Sequence, residues 1–286
     1  MRVRTRTLTE MKQEARRIPC VTAYDYPTAR LADAAGFPLI LVGDSLGNVV
    51  LGHDSTIAVT LDAMVHHTQA VARGVEHALV VADMPFMTYQ ASAEDALRNA
   101  ARLMQEGGAH AVKVEGGESI AITIERMTAA GVPVMGHLGL TPQSVHQLGG
   151  FRVQGRSLAD AKRLIADALR LQQAGVFAVV LETVPAELSR IVTERLAIPT
   201  IGIGAGPHCD GEIQVLHEIL GLIEGRPRKH AKTYALLNAL IADAFAAYAA
   251  DVRERRFPTE ANSFDLDEGV LEALRAEEDA PGGGDG

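Results

Sequence analysis

Short apolar runs recur along the first four-fifths of the chain, each closed by a polar residue: Leu39-Ile40-Leu41-Val42, Leu79-Val80-Val81-Ala82, Ala111-Val112-Lys113-Val114 and Ala178-Val179-Val180-Leu181. Runs of this length between Gly and Pro signals read as buried strands. Before most of them a helical stretch ends in Ala35-Gly36, Gly107-Gly108, Ala130-Gly131 or Ala174-Gly175, with Arg73-Gly74 as a looser copy. Glycine after the last helical turn takes the left-handed cap that reverses the chain. The pattern predicts strands at residues 20–24, 39–44, 79–83, 111–115, 132–137, 178–182 and 200–204, and more weakly at 213–217. Helices are predicted between them, notably over 62–73, 93–105 and 158–173. Eight βα units in roughly 230 residues, with no internal break in composition, point to a (β/α)8 TIM barrel. A doubly wound open sheet is the alternative. Residues 231–255 are Ala-rich and amphipathic, and read as helices closing the barrel or as a packing arm between subunits. The expected organisation is one domain over 1–264 and an acidic, flexible tail over 265–286, mobile from about Pro281.

Active sites of such barrels lie at the C-terminal ends of the strands. Polar residues gather there in this chain: Tyr24-Asp25, Asp44-Ser45, Asp83, Lys113 with Glu115, His137, Glu182-Thr183, and the glycines of residues 202–206. Asp44 and Asp83 each follow a buried run, where a carboxylate is costly unless a cation or substrate meets it. Alternate residues of a strand share a face, so Lys113 and Glu115 point the same way. Three carboxylates and one ammonium at a common mouth suit a hard divalent cation and an anionic, oxygen-rich substrate.

Each residue also has a plainer reading. Asp44 and Asp83 are suited to helix capping, although Asp44 precedes a Gly-containing loop rather than a helix. Lys113, one of five lysines against 22 arginines, is suited to a buried ion pair with Glu115. Glu182 ends a buried run, and a carboxylate in a poorly solvated pocket can remove a proton from carbon. His137 reads equally as a proton shuttle and as a satisfied structural histidine. Gly202-Ile203-Gly204-Ala205-Gly206 lacks the dinucleotide and P-loop spacings, which leaves barrel phosphate binding or close backbone approach. Residues 45–60 and 137–155 form long, Gly-rich loops after the second and fifth strands, and read as lids over the mouth.

Charge narrows the partners. Of the net −9, residues 265–286 carry −7, eight acids against one Arg, leaving −2 for the remainder. A nearly neutral body gives no footprint for nucleic acid or an anionic membrane. No apolar run approaches the roughly 18 residues of a membrane span. The basic first 17 residues lack an apolar core and read as a lead-in rather than a secretory signal. Cys20 and Cys209 lie far apart without metal-type spacing, which suits a reducing cytoplasm.

Several segments, in order and covering nearly everything up to Phe264, are specific when taken jointly. They are VTAYDY from Val21, VGDSLG from Val42 with GHDST from Gly52, ADMPFM from Ala82, VKVEGG from Val112, GHLGLTPQSV from Gly136, VQGR from Val153, LETVP from Leu181 and IPTIGIGAG from Ile198 with CDG at Cys209. On these the chain closely resembles the ketopantoate hydroxymethyltransferase family. The resemblance implies a barrel of the phosphoenolpyruvate mutase/isocitrate lyase type with Mg²⁺ at Asp44, Asp83 and Glu115. It implies a 2-oxoacid held by Asp44, Ser45, Asp83 and Lys113, with His137 beside it, and Glu182 as general base. It further implies 5,10-methylenetetrahydrofolate as one-carbon donor and assembly as a homodecamer. Pro207-His208 before Cys209 departs from the Asn-like turn expected there. The nearest rivals, lyases and phosphonate mutases of similar barrels, carry a Lys-Cys-Gly-His lid, and no such run occurs here. A non-catalytic binding or assembly protein is the rival from another class. It would have no use for the buried charge set.

Overall fold

Eight parallel strands close on themselves in chain order in a computed structural model of the protein. Residues 2–223, 225 and 228–278 are described. The strands are β1 (Ile18–Thr22), β2 (Leu39–Val42), β3 (Leu79–Asp83), β4 (Ala111–Glu115), β5 (Val134–Gly139), β6 (Ala178–Glu182), β7 (Thr200–Ile203) and β8 (Gly211–Gln214). β1 pairs with both β2 and β8, so no edge is left open. This is the predicted (β/α)8 barrel, and the open-sheet alternative is excluded. The strand boundaries differ by about two residues at several places. β5 runs on through His137 to Gly139, because its ladder with β6 continues to the Gly139–Glu182 pair.

Why the strands read as unbroken apolar runs is clear from their two faces. Leu39, Leu41, Leu79, Val81, Ala111, Met135, Ala178 and Val180 form one buried cluster inside the barrel. The alternating partners Ile40, Val42, Val80, Ala82, Val112, Val114, Val179 and Leu181 belong to a second cluster shared with the surrounding helices. Both faces are buried, so strand alternation is invisible in hydropathy alone. Leu8 and Met11 of the helix Thr5–Gln13 join the interior cluster and plug the N-terminal end of the barrel. The C-terminal end stays open for polar residues.

Helix entry follows ordinary capping. Asp25, Thr60, Ser92 and Ser157 accept backbone N–H bonds at the starts of Tyr26–Ala34, Leu61–Gly74, Ala93–Gln105 and Leu158–Gln173. After β8 the helix is only Leu216–Ile219. The chain divides into two compact units, Met1–Ala235 and Leu236–Gly286. That division falls ahead of the boundary at Phe264 read from the sequence. The second unit holds the helices Leu237–Arg253 and Glu268–Glu278. Leu237–Arg253 has no buried residue. Phe245, Tyr248 and Leu240 are exposed along it. The tail expected over 265–286 holds a helix over Glu268–Glu278, and its stretch from Pro281 lies outside the described residues.

Candidate active site

Interior positions continue upward from the apolar layers into a polar one. Val81 is followed inward by Asp83, Ala111 by Lys113 and Glu115, Met135 by His137, and Val180 by Glu182. The register places Asp83 beside Lys113, and Glu115 beside His137. Asp44 stands two residues beyond β2, and its backbone N–H donates to Asp83 Oδ2 at 3.0 Å. All six residues are buried: Asp44 4 %, Asp83 2 %, Lys113 4 %, Glu115 6 %, His137 3 % and Glu182 7 % exposed. They line one cleft of about 880 Å³, counting its open mouth. Ser45 lines it too, and Tyr24 Oη lies 2.8 Å from Ser45 Oγ. The seven residues to which the resemblance gives a role, Asp44, Ser45, Asp83, Lys113, Glu115, His137 and Glu182, therefore reach the same cleft.

Lys113 Nζ lies 3.1 Å from Asp83 Oδ1 and 3.7 Å from Glu115 Oε1, so its nearer ion-pair partner is Asp83. It is also 3.1 Å from His137 Nδ1. His137 Nδ1 is 3.3 Å from Glu115 Oε1, and His137 Nε2 is 3.3 Å from Glu182 Oε2. The last pair is close enough for charge attraction but not aligned as a hydrogen bond, and Asp83 Oδ1 likewise has no aligned donor among the described residues. Burial pushes the Asp44 carboxyl well above the usual range, and the neighbouring Asp83 and Glu115 push it further. Burial also raises Asp83, only partly offset by Lys113. Burial opposes charge on Lys113, but Asp83, Glu115 and Asp44 outweigh it and hold the ammonium above its ordinary value. Glu115 resists its burial through His137 and Lys113 and is held low. Burial and Lys113 oppose charge on His137, yet Glu115 and Glu182 raise it to about 9.

Two residues to which the sequence reading gives no role organise this set. Gln143 Nε2 donates to Asp44 Oδ2 at 2.9 Å and to the Met84 carbonyl at 3.0 Å, while its backbone N–H donates to Glu115 Oε2 at 3.0 Å. Tyr89 Oη accepts the Glu115 N–H at 2.9 Å and lies 2.8 Å from Gln143 Oε1. Both side chains are buried. Neither sits at a strand end, so no periodic signal marked them. Thr183, directly after Glu182, has φ 51°, a genuine outlier for a β-branched residue. Such strain persists where surrounding structure holds it, and it recurs at functional sites.

Some sequence candidates fall elsewhere. Asp25 caps its helix, accepting from Thr28 N–H at 2.8 Å, and does not line the cleft. A side-chain cap does not occupy Asp44, which is bound by Gln143 instead. The glycine loop owes its composition to close approach: a Cβ on Gly206 would stand 2.4 Å from Ala186 Cβ, and Gly204 packs on the His230 ring. Burial raises the thiols of Cys20 and Cys209 and makes them poor nucleophiles. Both predicted lids line the cleft, through Asn48, Val49 and Thr56 from one and Pro142, Val145 and Phe151 from the other.

A magnesium ion was implied by the sequence resemblance, and the donor set can be tested against it. Among the described residues no three His, Cys, Asp or Glu side chains already form a closed ligand group. Lys113 lies between Asp83 and Glu115. The oxygens are nonetheless of the right kind: Asp44 and Asp83 are adjacent and buried, share the single ammonium of Lys113, and leave Asp83 Oδ1 without an aligned donor. Magnesium is ordinarily held by one or two carboxylates, with water and substrate oxygens completing its shell. The residues fit that mode and not an all-protein cage.

A family profile described as ketopantoate hydroxymethyltransferase matches residues 2–260. The chain is 57 % identical over 275 residues to the 3-methyl-2-oxobutanoate hydroxymethyltransferase of Dehalococcoides mccartyi strain BAV1, covering 96 % of this chain and 99 % of that one. It is 56 % identical over 279 residues to the Chloroflexus aurantiacus (J-10-fl) protein of the same name, covering 98 % and 99 %. In structure it resembles phosphonopyruvate hydrolase in complex with oxalate and Mg²⁺, with TM-score 0.61 at 14 % identity, covering 98 % of this chain and 99 % of that one. It also resembles 2,3-dimethylmalate lyase, a PEP mutase/isocitrate lyase superfamily member, with TM-score 0.54 at 15 % identity, covering 99 % and 97 %. At these identities the two structures speak to the fold alone.

Proposed function

The chain belongs to the ketopantoate hydroxymethyltransferase family, and on that premise we propose that it moves a hydroxymethyl group from 5,10-methylenetetrahydrofolate to 3-methyl-2-oxobutanoate. The products are 2-dehydropantoate and tetrahydrofolate, with one water consumed, as a step of pantothenate biosynthesis. The observation that carries this reading is the buried set Asp44, Asp83, Lys113 and Glu115 facing Glu182 across one cleft.

The oxoacid must lose a weakly acidic proton from C3 before that carbon can attack. Glu182 is the base on this reading: its carboxylate is mostly buried at the mouth and aimed into the cleft beside His137. His137, raised to about 9 by Glu115 and Glu182 against burial and Lys113, stands between those two carboxylates and positions them. Lys113, whose ammonium Asp83 keeps charged, offsets negative charge that gathers on the oxoacid oxygens as the proton leaves. Ser45 and the Asp44 loop bind the substrate carboxylate end. Asp44 and Asp83, with Glu115 beside them, would hold Mg²⁺, which when bound would supply Lewis-acid polarisation to the oxoacid. The loops bearing Thr56 and Phe151 exclude water from the carbanion and the one-carbon electrophile.

The test is formation of 2-dehydropantoate from the oxoacid and 5,10-methylenetetrahydrofolate, with and without Mg²⁺. No product in the complete mixture would remove the reading. Among the described residues no helix is long and apolar enough to cross a membrane. Cytoplasmic residence and a decameric assembly belong to the same proposal, and sedimentation measures the second.

A further inference from the structure

The cleft extends past the charged set to a second group of polar residues that the chemistry at Glu182 does not use. Glu218, 6 % exposed, lies on the short helix after β8 and lines the same cleft. One of its carboxylate oxygens is 3.2 Å from Arg228 Nε, and the other, Oε2, has no hydrogen-bond partner among the described residues. Gln214, at the end of β8, donates from its side-chain amide to Glu212 Oε1 at 2.8 Å and to the His230 carbonyl at 3.2 Å. With both amide hydrogens engaged, its oxygen is the group left over, and Oε1 is buried without a donor. Thr56 across the cleft, 6 % exposed, has an unpartnered Oγ1. Buried acceptors are ordinarily paired. Two unpaired acceptors and one hydroxyl thus belong to residues that line one cleft, where a ligand edge that donates hydrogen bonds would pair them. Val49, Val145 and Phe151 add apolar surface to the same cleft, suited to the face of a flat ring.

We propose that Glu218, Gln214 and Thr56 bind the pterin ring of the reduced-folate co-substrate, with Glu218 Oε2 accepting from the amino and ring N–H donors on its amidine-like edge. The proposal rests on the reading that a reduced folate is the carbon donor. A pterin fits where a sugar or an anion does not. It is flat, carries adjacent N–H donors on one edge, and bears no charge that an acidic pocket repels. The oxoacid, being an anion, is drawn to Lys113 and kept from the Glu218 end. Two substrates of unlike chemistry are thereby sorted within one cleft.

The experiment titrates tetrahydrofolate into the wild-type chain and the variants Glu218→Gln and Thr56→Val, with 3-methyl-2-oxobutanoate titrated separately. Glu218→Gln keeps the shape but turns a charged acceptor into an amide. Its tetrahydrofolate affinity should fall by at least about 10-fold, the scale of a lost charged hydrogen bond. Oxoacid affinity should stay within about twofold, since a charged acceptor is removed only at the far end. A 2-desamino analogue should bind the wild type more weakly than tetrahydrofolate does, and Glu218→Gln should cost it little further. Thr56→Val, which leaves the Arg228 pair intact, should also weaken tetrahydrofolate and serves if Glu218→Gln does not fold. Unchanged tetrahydrofolate affinity in both variants would overturn the assignment while leaving the donor reading intact. A wild type that binds the oxoacid but neither binds nor turns over the folate would overturn the donor reading, and this assignment with it.

Discussion

Asp83 pairs with Lys113, accepts from Asp44 N–H and is buried, so Asp83→Ala removes an ion pair and a hydrogen bond along with a proposed metal ligand. That variant should lose Mg²⁺-dependent turnover while circular dichroism stays that of the folded barrel; full activity would remove Asp83 from the metal site. Glu182→Gln retains the size of the base but cannot take a proton. Solvent-deuterium exchange at C3 of the oxoacid should slow by about 10²-fold, the usual contribution of a general base. Exchange at the wild-type rate would pass the role to His137. Gln143 touches Asp44 and Glu115, two of the residues proposed to hold the metal. Gln143→Leu should raise the Mg²⁺ concentration needed for half-maximal rate by about 10-fold or more, as loss of a partner behind a metal ligand usually does. Restoration by Gln143→Asn is not expected, since the shorter amide cannot span from Asp44 to Met84.

Among the elements, the helix Tyr26–Ala34 is tied to the start of β3 by one side chain. Asp33 accepts from the N–H groups of Glu76 at 2.9 Å, His77 at 3.1 Å and Ala78 at 2.7 Å. Burial would raise this carboxyl, but the three N–H bonds outweigh it and hold it below the ordinary value. A depressed folded value contributes stability above the unfolded carboxylate range, about pH 4, and that contribution fades as the pH falls through the folded value. Asp33→Ala should cost about 1–3 kcal/mol at neutral pH, and the difference from wild type should shrink in acid. A constant difference down to pH 3 would mean that the carboxylate charge is irrelevant. The end of β5 is equally exacting. Gly139 sits at φ 92°, and a Cβ there would stand 2.3 Å from the Glu182 carbonyl oxygen. Gly139→Ala should therefore destabilise the chain by at least ~2 kcal/mol and slow C3 exchange together.

For the whole molecule, both buried clusters draw only on residues before Gly221. A chain ending at Ala235 should therefore keep a cooperative melting transition and the spectrum of an α/β barrel. A non-cooperative melt would show that the unit from Leu236 onward is needed for the barrel to fold. The exposed Leu240, Phe245 and Tyr248 leave with the deleted part, so the shortened chain should also bind less of a hydrophobic dye.

The order of strands and helices was legible because a barrel of this kind is written locally: an apolar run and a polar end, with a helix and a glycine leading into the next strand at five places. Asp44, Asp83, Lys113, Glu115 and Glu182 were legible for the same reason, each being a charge at the end of a run that has no solvent to spare for it. The inward face of each strand was not. Hydropathy carries no phase when both faces are buried, and only closure of the barrel decided that Asp83, Lys113, His137 and Glu182 look at one another. Gln143 and Tyr89 escaped notice because they act through loops whose course depends on contacts far along the chain, from residue 44 to residue 143. The division at Ala235 likewise depended on packing, since residues 231–255 are helical in pattern whether they join a core or stand outside it. Sequence settles which charges the barrel must carry to its open end, because burying a charge without a partner is too costly to be accidental. Tertiary structure alone settles which charge meets which, because that is set by strand register and by loops that no local pattern encodes.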